Sequence, residues 1–181
     1  MAQAIHWLTA LLVIASIPLG WYANSVERGQ LERALFNLHF QVGAAVLFLL
    51  LARIAWRTID KAPRPAAALP PRVRLGSKAM HLLIYAALLA IIVSGYLIQI
   101  HMRPTLVFIG LEFPRPFEPG EDESVRAAAW YVHTYSWWLL AALVVIHAGA
   151  ALWHHLVLRD DVLARMLPGQ PPLNPQIGEE R

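Results

Sequence analysis

Four stretches of the chain run almost unbroken through apolar residues, at about residues 5–23, 35–56, 80–100 and 127–157. Each is long enough to cross about 30 Å of hydrocarbon, which takes roughly 20 residues of helix. The fourth exceeds that length, so it predicts a helix that projects past the bilayer or tilts. Pro18 and Gly20 fall inside the first stretch. Membrane helices tolerate both, because neighbouring groups satisfy the freed backbone. The pattern predicts an all-α integral membrane four-helix bundle within residues 1–168, followed by a mobile tail at 169–181 that carries prolines and charges.

Polar positions between the stretches orient the bundle. Residues 24–34 hold two arginines and two glutamates. Residues 57–78 hold Arg57, Lys61, Arg64, Arg72, Arg74 and Lys78 against Asp60 alone, and residues 62–71, rich in Pro and Ala, read as an extended connector. Residues 101–126 hold three arginines against five acids, with an apolar piece at 106–113 that suits the interface. Excess base marks the cytoplasmic side, so the second loop and both termini are expected in the cytoplasm of a bacterial inner membrane.

Composition agrees with lipid as the main solvent. The chain has 181 residues, 57% hydrophobic and 15% charged, where a soluble domain carries about 25% charge. Its pI near 9.6 follows from the basic loop, so no nucleic-acid partner is expected. There is no cysteine, which excludes disulfides, thiolate metal sites, iron–sulfur clusters and covalently attached haem. The N-terminus lacks a basic region before its apolar run, so no cleaved signal peptide is expected.

Histidines carry the chemistry, because a polar group within a span is costly and marks function by default. His6 opens the first stretch at the cytoplasmic side, and His39 lies a few residues into the second at the outer side. His133 and His147 share the fourth stretch. Fourteen residues of helix rise about 21 Å and stop about 40° short of whole turns, so these two share a face at two depths. Depth then pairs His39 with His133 on the outer side and His6 with His147 on the inner side. Bundle cores build cofactor sites from facing helices, and neutral imidazole is a common axial ligand of haem iron. Gly43, one turn after His39, and Gly149 with Ala148, Ala150 and Ala151 beside His147 offer room for a macrocycle, although small residues also serve plain helix packing. A lone histidine at a membrane edge is ordinarily interfacial; four at matched depths are the informative pattern. Zinc or copper transport would call for carboxylates in the spans, which have none.

With these residues in hand, the chain resembles the prokaryotic cytochrome b561 family, related to the b-type subunits of nickel–iron hydrogenases. The matching segments are Ile5-His6-Trp7-Leu8, Asn37-Leu38-His39, His81-Leu82-Leu83-Ile84-Tyr85, His133, His147-Ala148-Gly149-Ala150-Ala151 and His154-His155. The closing Arg159-Asp160-Asp161 to Arg165-Met166-Leu167-Pro168 is similar too. Only five residues precede His6, where the family has a longer basic stretch. The resemblance is closest to the superoxide oxidase branch. It implies two haem b groups, on His6 with His147 and on His39 with His133, a periplasmic donor such as superoxide, and ubiquinone as acceptor. It also implies that His81 and His154 border the quinone, where imidazole would supply protons. Arg53, 14 residues after His39, is a candidate partner for a haem propionate or else snorkels to headgroups.

Three readings stand at this point: a superoxide:ubiquinone oxidoreductase, an electron conduit serving a partner dehydrogenase, hydrogenase or soluble cytochrome, and a haem-free transporter or scaffold. Arg103, Arg115 and Arg126 could attract an anionic donor, against the five nearby acids. The tryptophans mostly mark an aromatic belt, with Trp137 and Trp138 deep enough to pack on the outer haem.

Overall fold

The apolar stretches become helices longer than the stretches themselves. The computed structural model describes residues 1–59, 70–102, 105–118 and 123–167. Within these, α1 spans Ala2–Ser25, α2 Gln30–Ile59, α3 Pro71–Met102 and α4 Glu123–Trp153. One π-helical turn, His154–Leu158, prolongs α4. Hydropathy detects only what lipid covers, whereas the polar end residues continue the same backbone ladder into the interface. α2, with 30 residues, is about 45 Å long against about 30 Å of hydrocarbon. Arg72, Arg74 and Lys78, expected in a loop, therefore stand in the first turns of α3, which opens on Pro71, a residue suited to a helix start. Residues 60–69, most of the expected connector, and the tail at 169–181 lie outside the described residues.

All four helices are long and apolar enough to span a membrane, and the chain is a multi-pass membrane protein. They run alternately, so the start of α1 and the segment that follows α4 share one end of the bundle, called here the terminal end. α1 packs chiefly on α2, and α3 on α4. The two halves meet in a central apolar layer of Val46, Leu50, Ala87, Leu88, Leu140 and Leu143, flanked by Leu12 and Val13 of α1. Outward positions keep large apolar side chains bare, as at Leu11 (63% exposed) and Val145 (71%). Such surfaces suit lipid and would be a liability in water.

The piece at 106–113, expected to be an apolar interfacial stretch, folds into an antiparallel hairpin of β1 (Thr105–Phe108) and β2 (Leu111–Pro114). Ile109 and Gly110 both have positive φ, at 52° and 77°, as a two-residue hairpin turn of matching twist requires. Leu106 is buried, the Phe108 ring lies 5.5 Å from Phe48 of α2, and the Ile109 N–H donates to the Gln41 side chain at 3.4 Å. The hairpin thus caps the opposite end of the bundle, called here the hairpin end.

Candidate cofactor site

At the hairpin end, His39 of α2 and His133 of α4 face each other with ring centres 6.0 Å apart and planes at 77°. A carbonyl oxygen can only accept, so the contacts fix the tautomers. His39 Nδ1–H donates to Ser16 C=O at 3.1 Å, and His133 Nδ1–H donates to Ile91 C=O at 2.9 Å. Each Nε2 is left as the basic nitrogen, the arrangement that prepares imidazole for a metal. Ser94, 3% exposed, adds its hydroxyl 3.3 Å from His133 Nδ1 while donating to Ala90 C=O at 2.6 Å.

Two glycines make the close approach possible. A Cβ on Gly20 would lie 2.8 Å from His39 Cε1, and one on Gly95 2.9 Å from His133 Cε1. Both distances are shorter than side chains tolerate, so α1 and α3 can wall these rings only with hydrogen at those positions. Gly43 and Gly149 stand clear of the rings: a Cβ on either meets no protein atom within 4 Å. Gly149, with Ala148 and Ala150, is exposed on the outward side of α4, about 200° round the helix from His147.

At the terminal end, His6 of α1 and His147 of α4 have ring centres 6.4 Å apart and planes at 76°. Here the electrostatics are reversed. A guanidinium can only donate, so Arg53 Nη1, 2.8 Å away, donates to His6 Nδ1. Arg53 also lies 6.0 Å over the Tyr85 ring. The His81 ring is 5.2 Å from that of His147, and its Nδ1–H donates to Ser77 C=O at 2.7 Å. A cavity of about 290 Å³ opens beside it, lined by Arg57, Ser77, Lys78, His81, Leu82 and Tyr85. The buried Tyr85 hydroxyl has no hydrogen-bond partner among the described residues.

The structure therefore brings together His39 with His133, and His6 with His147, Arg53 and His81. His154 stands apart from that cavity lining; its Nδ1 is 2.5 Å from Asp160 Oδ2. Asp160 lies beyond the spans. Partial burial alone would raise its carboxyl, but the bonds from His154 and the Val162 N–H, with the charges of His154 and His155, hold it below the usual carboxylate range. Arg115 pairs with Glu118 and Arg126 with Glu123, while Arg103 lies outside the described residues. Trp137 and Trp138 stack on each other at 3.9 Å, and Trp138 is 62% exposed.

The pair separations can be tested against a metal between two imidazoles. A metal–imidazole bond is about 2 Å, so two imidazoles that share one metal would stand about 6 Å apart, centre to centre. Both pairs meet this span, whereas His81 and His147 are closer. Among the described residues, no group of three or more His, Cys, Asp or Glu converges as a metal site. Each level thus offers two imidazoles at that spacing, which would suit a metal whose remaining positions are filled by a macrocycle of its own.

Fold and site together define a four-span membrane protein whose helices present imidazoles to one another at both ends of the bundle. The chain belongs to the prokaryotic cytochrome b561 family, whose pattern matches residues 1–169. Membership makes it a protein of membrane electron transfer and implies haem b. It is 34% identical over 170 residues to "Cytochrome b561 homolog 2" of Escherichia coli K12, covering 92% of this chain and 89% of that protein. It is 30% identical over 175 residues to "Probable superoxide oxidase CybB" of Yersinia pestis, covering 91% and 92%. Against "Cytochrome b561 homolog 1" of Escherichia coli K12 the identity is 27% over 169 residues, covering 91% and 93%.

Proposed function

We propose that this chain is a two-haem b-type cytochrome that takes electrons from a donor at the hairpin end and delivers them to ubiquinone at the terminal end. The observation that carries the reading is the matched separation of two imidazole pairs, 6.0 and 6.4 Å, at two levels of one bundle. His39 and His133 would hold one haem, and His6 and His147 the other. The excess of base in the loop joining α2 to α3 supports a cytoplasmic terminal end and a periplasmic hairpin end. Haem b, when bound, supplies one-electron redox chemistry.

The residues divide the remaining tasks. Ser16 and Ile91 carbonyls hold the hairpin-end rings with Nε2 free. At the terminal end, His6 can present Nε2 as a base only when Arg53 leaves its Nδ1. A propionate carboxylate is the better acceptor for a guanidinium, so Arg53 is suited to make that exchange. His81 stands between His147 and the cavity, where quinone reduction needs two protons; imidazole and the unpartnered Tyr85 hydroxyl are suitable donors.

Superoxide is the first donor to consider, on the strength of the Yersinia pestis relative's name. Two superoxide anions would each lose one electron and leave as dioxygen, while one quinone gains two electrons and two protons. A specific observation favours a second reading, that of a conduit fed by a partner protein. The outer Arg115 and Arg126 are each neutralised by a glutamate, which weakens their pull on a small anion. The purified protein, given superoxide pulses and a quinone acceptor, is expected to show about two haems per chain by pyridine haemochrome. Quinol is expected to form as superoxide disappears. Two haems with no superoxide consumption above background would select the conduit; no haem would end both readings.

A further inference from the structure

We infer that the segment after α4 is a strap that positions His6, acting through Trp7; the inference rests on the reading of His6 as a ligand. α1 begins without support of its own. It has no side-chain cap bond and no acidic residue in its first turn, and His6 lies within its first two turns. Helix starts of this kind fray, because their first N–H groups lack partners.

The strap supplies what α1 lacks. Arg159 takes a left-handed backbone, φ 52° and ψ 37°, and reverses the chain after the π-helical turn. That conformation is costly for a residue with a Cβ. Three contacts then set the path: His154 with Asp160 at 2.5 Å, the Val162 N–H to Asp160 Oδ1 at 3.1 Å, and Arg165 with Asp161 at 2.6 Å. Every residue from 160 to 167 is partly buried. A short 3-10 turn, Ala164–Met166, leaves successive carbonyls pointing at α1. Gln3 Nε2 donates to Arg165 C=O at 2.7 Å and to Leu167 C=O at 3.3 Å, and Trp7 Nε1–H donates to Met166 C=O at 2.5 Å.

Indole has a single donor and no acceptor, so the Met166 carbonyl fixes the plane of Trp7. That plane meets the His6 ring edge-on, 5.4 Å centre to centre at 63°. The chain's last described residues thus hold the indole against which His6 rests. His39 is placed differently, by the Ser16 carbonyl inside the spans.

The test uses the full-length, haem-loaded protein and three forms: wild type, Gln3→Leu with Trp7→Phe, and Gln3→Leu alone, which keeps the indole if the double variant fails to fold. Two readouts are taken together, amide exchange of residues 2–8 and the low-spin haem resonances. The double variant is expected to exchange these amides at least tenfold faster. It should also shift or lose one of two low-spin signals, with the other unmoved. Gln3→Leu alone should show the faster exchange to a smaller degree. Unchanged exchange, or both signals moving together, would overturn the strap. A wild type with fewer than two low-spin signals would instead overturn the reading of the histidine pairs, whatever the exchange rates show.

Discussion

The two histidine pairs have nearly equal separations and contrasting surroundings. The hairpin-end pair is enclosed by backbone: carbonyls of Ser16 and Ile91 accept its protons, and Gly20 and Gly95 press against its rings. The terminal-end pair is enclosed by side chains, with Arg53 on His6, His81 beside His147, and a cavity next to it. Backbone walls cannot change rotamer, so the first pair is fixed. Arg53, His81 and Tyr85 can change rotamer, and His81 and Tyr85 can pass protons, so the second is adaptable. The adaptable end is the one suited to proton-coupled chemistry, in keeping with the proposal that quinone is reduced there.

Removing a ring is the strongest way to break the comparison. His39→Ala is expected to lower haem content from about two per chain to about one, because a single remaining imidazole gives the iron only one protein ligand. The terminal-end pair should still hold its haem, since His6 and His147 stand on α1 and α4 and neither is altered. Pyridine haemochrome on the purified variant checks this; retention of two haems would remove His39 from the ligand set.

A single methyl group probes the backbone wall. Gly95→Ala places a Cβ 2.9 Å from His133 Cε1 and 3.2 Å from its Nδ1, so the ring or α3 must shift. Such overpacking costs about 1–3 kcal/mol. Thermal release of the hairpin-end haem should come at a lower temperature. Gly149→Ala is the control, on the outward side of α4 with nothing within 4 Å of its Cβ. Equal melting of the two variants would deny Gly95 its role.

At the adaptable end, His81→Gln should keep both haems and slow quinone reduction by about 10²-fold, the lower end of what a positioned proton donor contributes. Stopped-flow reduction of a short-chain quinone measures it. A loss of the terminal-end haem instead would make His81 a structural support of His147.

How much of this contrast was legible in the sequence depends on what carries it. Hydropathy located the four spans, and depth along them paired His39 with His133 and His6 with His147 as the structure juxtaposes them. Arg53 was placed at the level of His6 by the same count. Gly20 and Gly95 lie within reach of that reasoning too, five residues before the end of α1 and seven before the end of α3, yet it was applied only to polar side chains. Gly149 drew attention because it neighbours His147 in sequence, and helical periodicity turns it outward. The Ser16 and Ile91 carbonyls are invisible to side-chain patterns altogether. The hairpin reads in sequence as an apolar stretch, because its pairing is made by backbone and its turn by Ile109, a residue that rarely takes positive φ. The resemblance sets His154 with His81 at the border of the quinone; what its position in the sequence does not reveal is the reversal at Arg159 that brings Asp160 to its ring.

The smallest effect concerns that reversal, and its sign is set by Asp160. The folded protein holds this carboxyl below its ordinary range, through the bonds from His154 and the Val162 N–H and the charges of His154 and His155, against an opposing effect of burial. A group with a lowered folded-state value contributes stability above its unfolded value and loses it as pH falls through the folded one. The strap is therefore intact at neutral pH and weakens only as acidity passes below the ordinary carboxylate value of about 4. Because Asp160 is partly exposed, the change should be slight at neutral pH and confined to the terminal end. Asp160→Asn removes this dependence. Its terminal-end low-spin signal should stay constant down to that acidity, where the wild type begins to shift, while the hairpin-end signal follows the same course in both. If the two proteins track each other at both ends, Asp160 does not tension the strap, and Gln3 and Trp7 hold it alone.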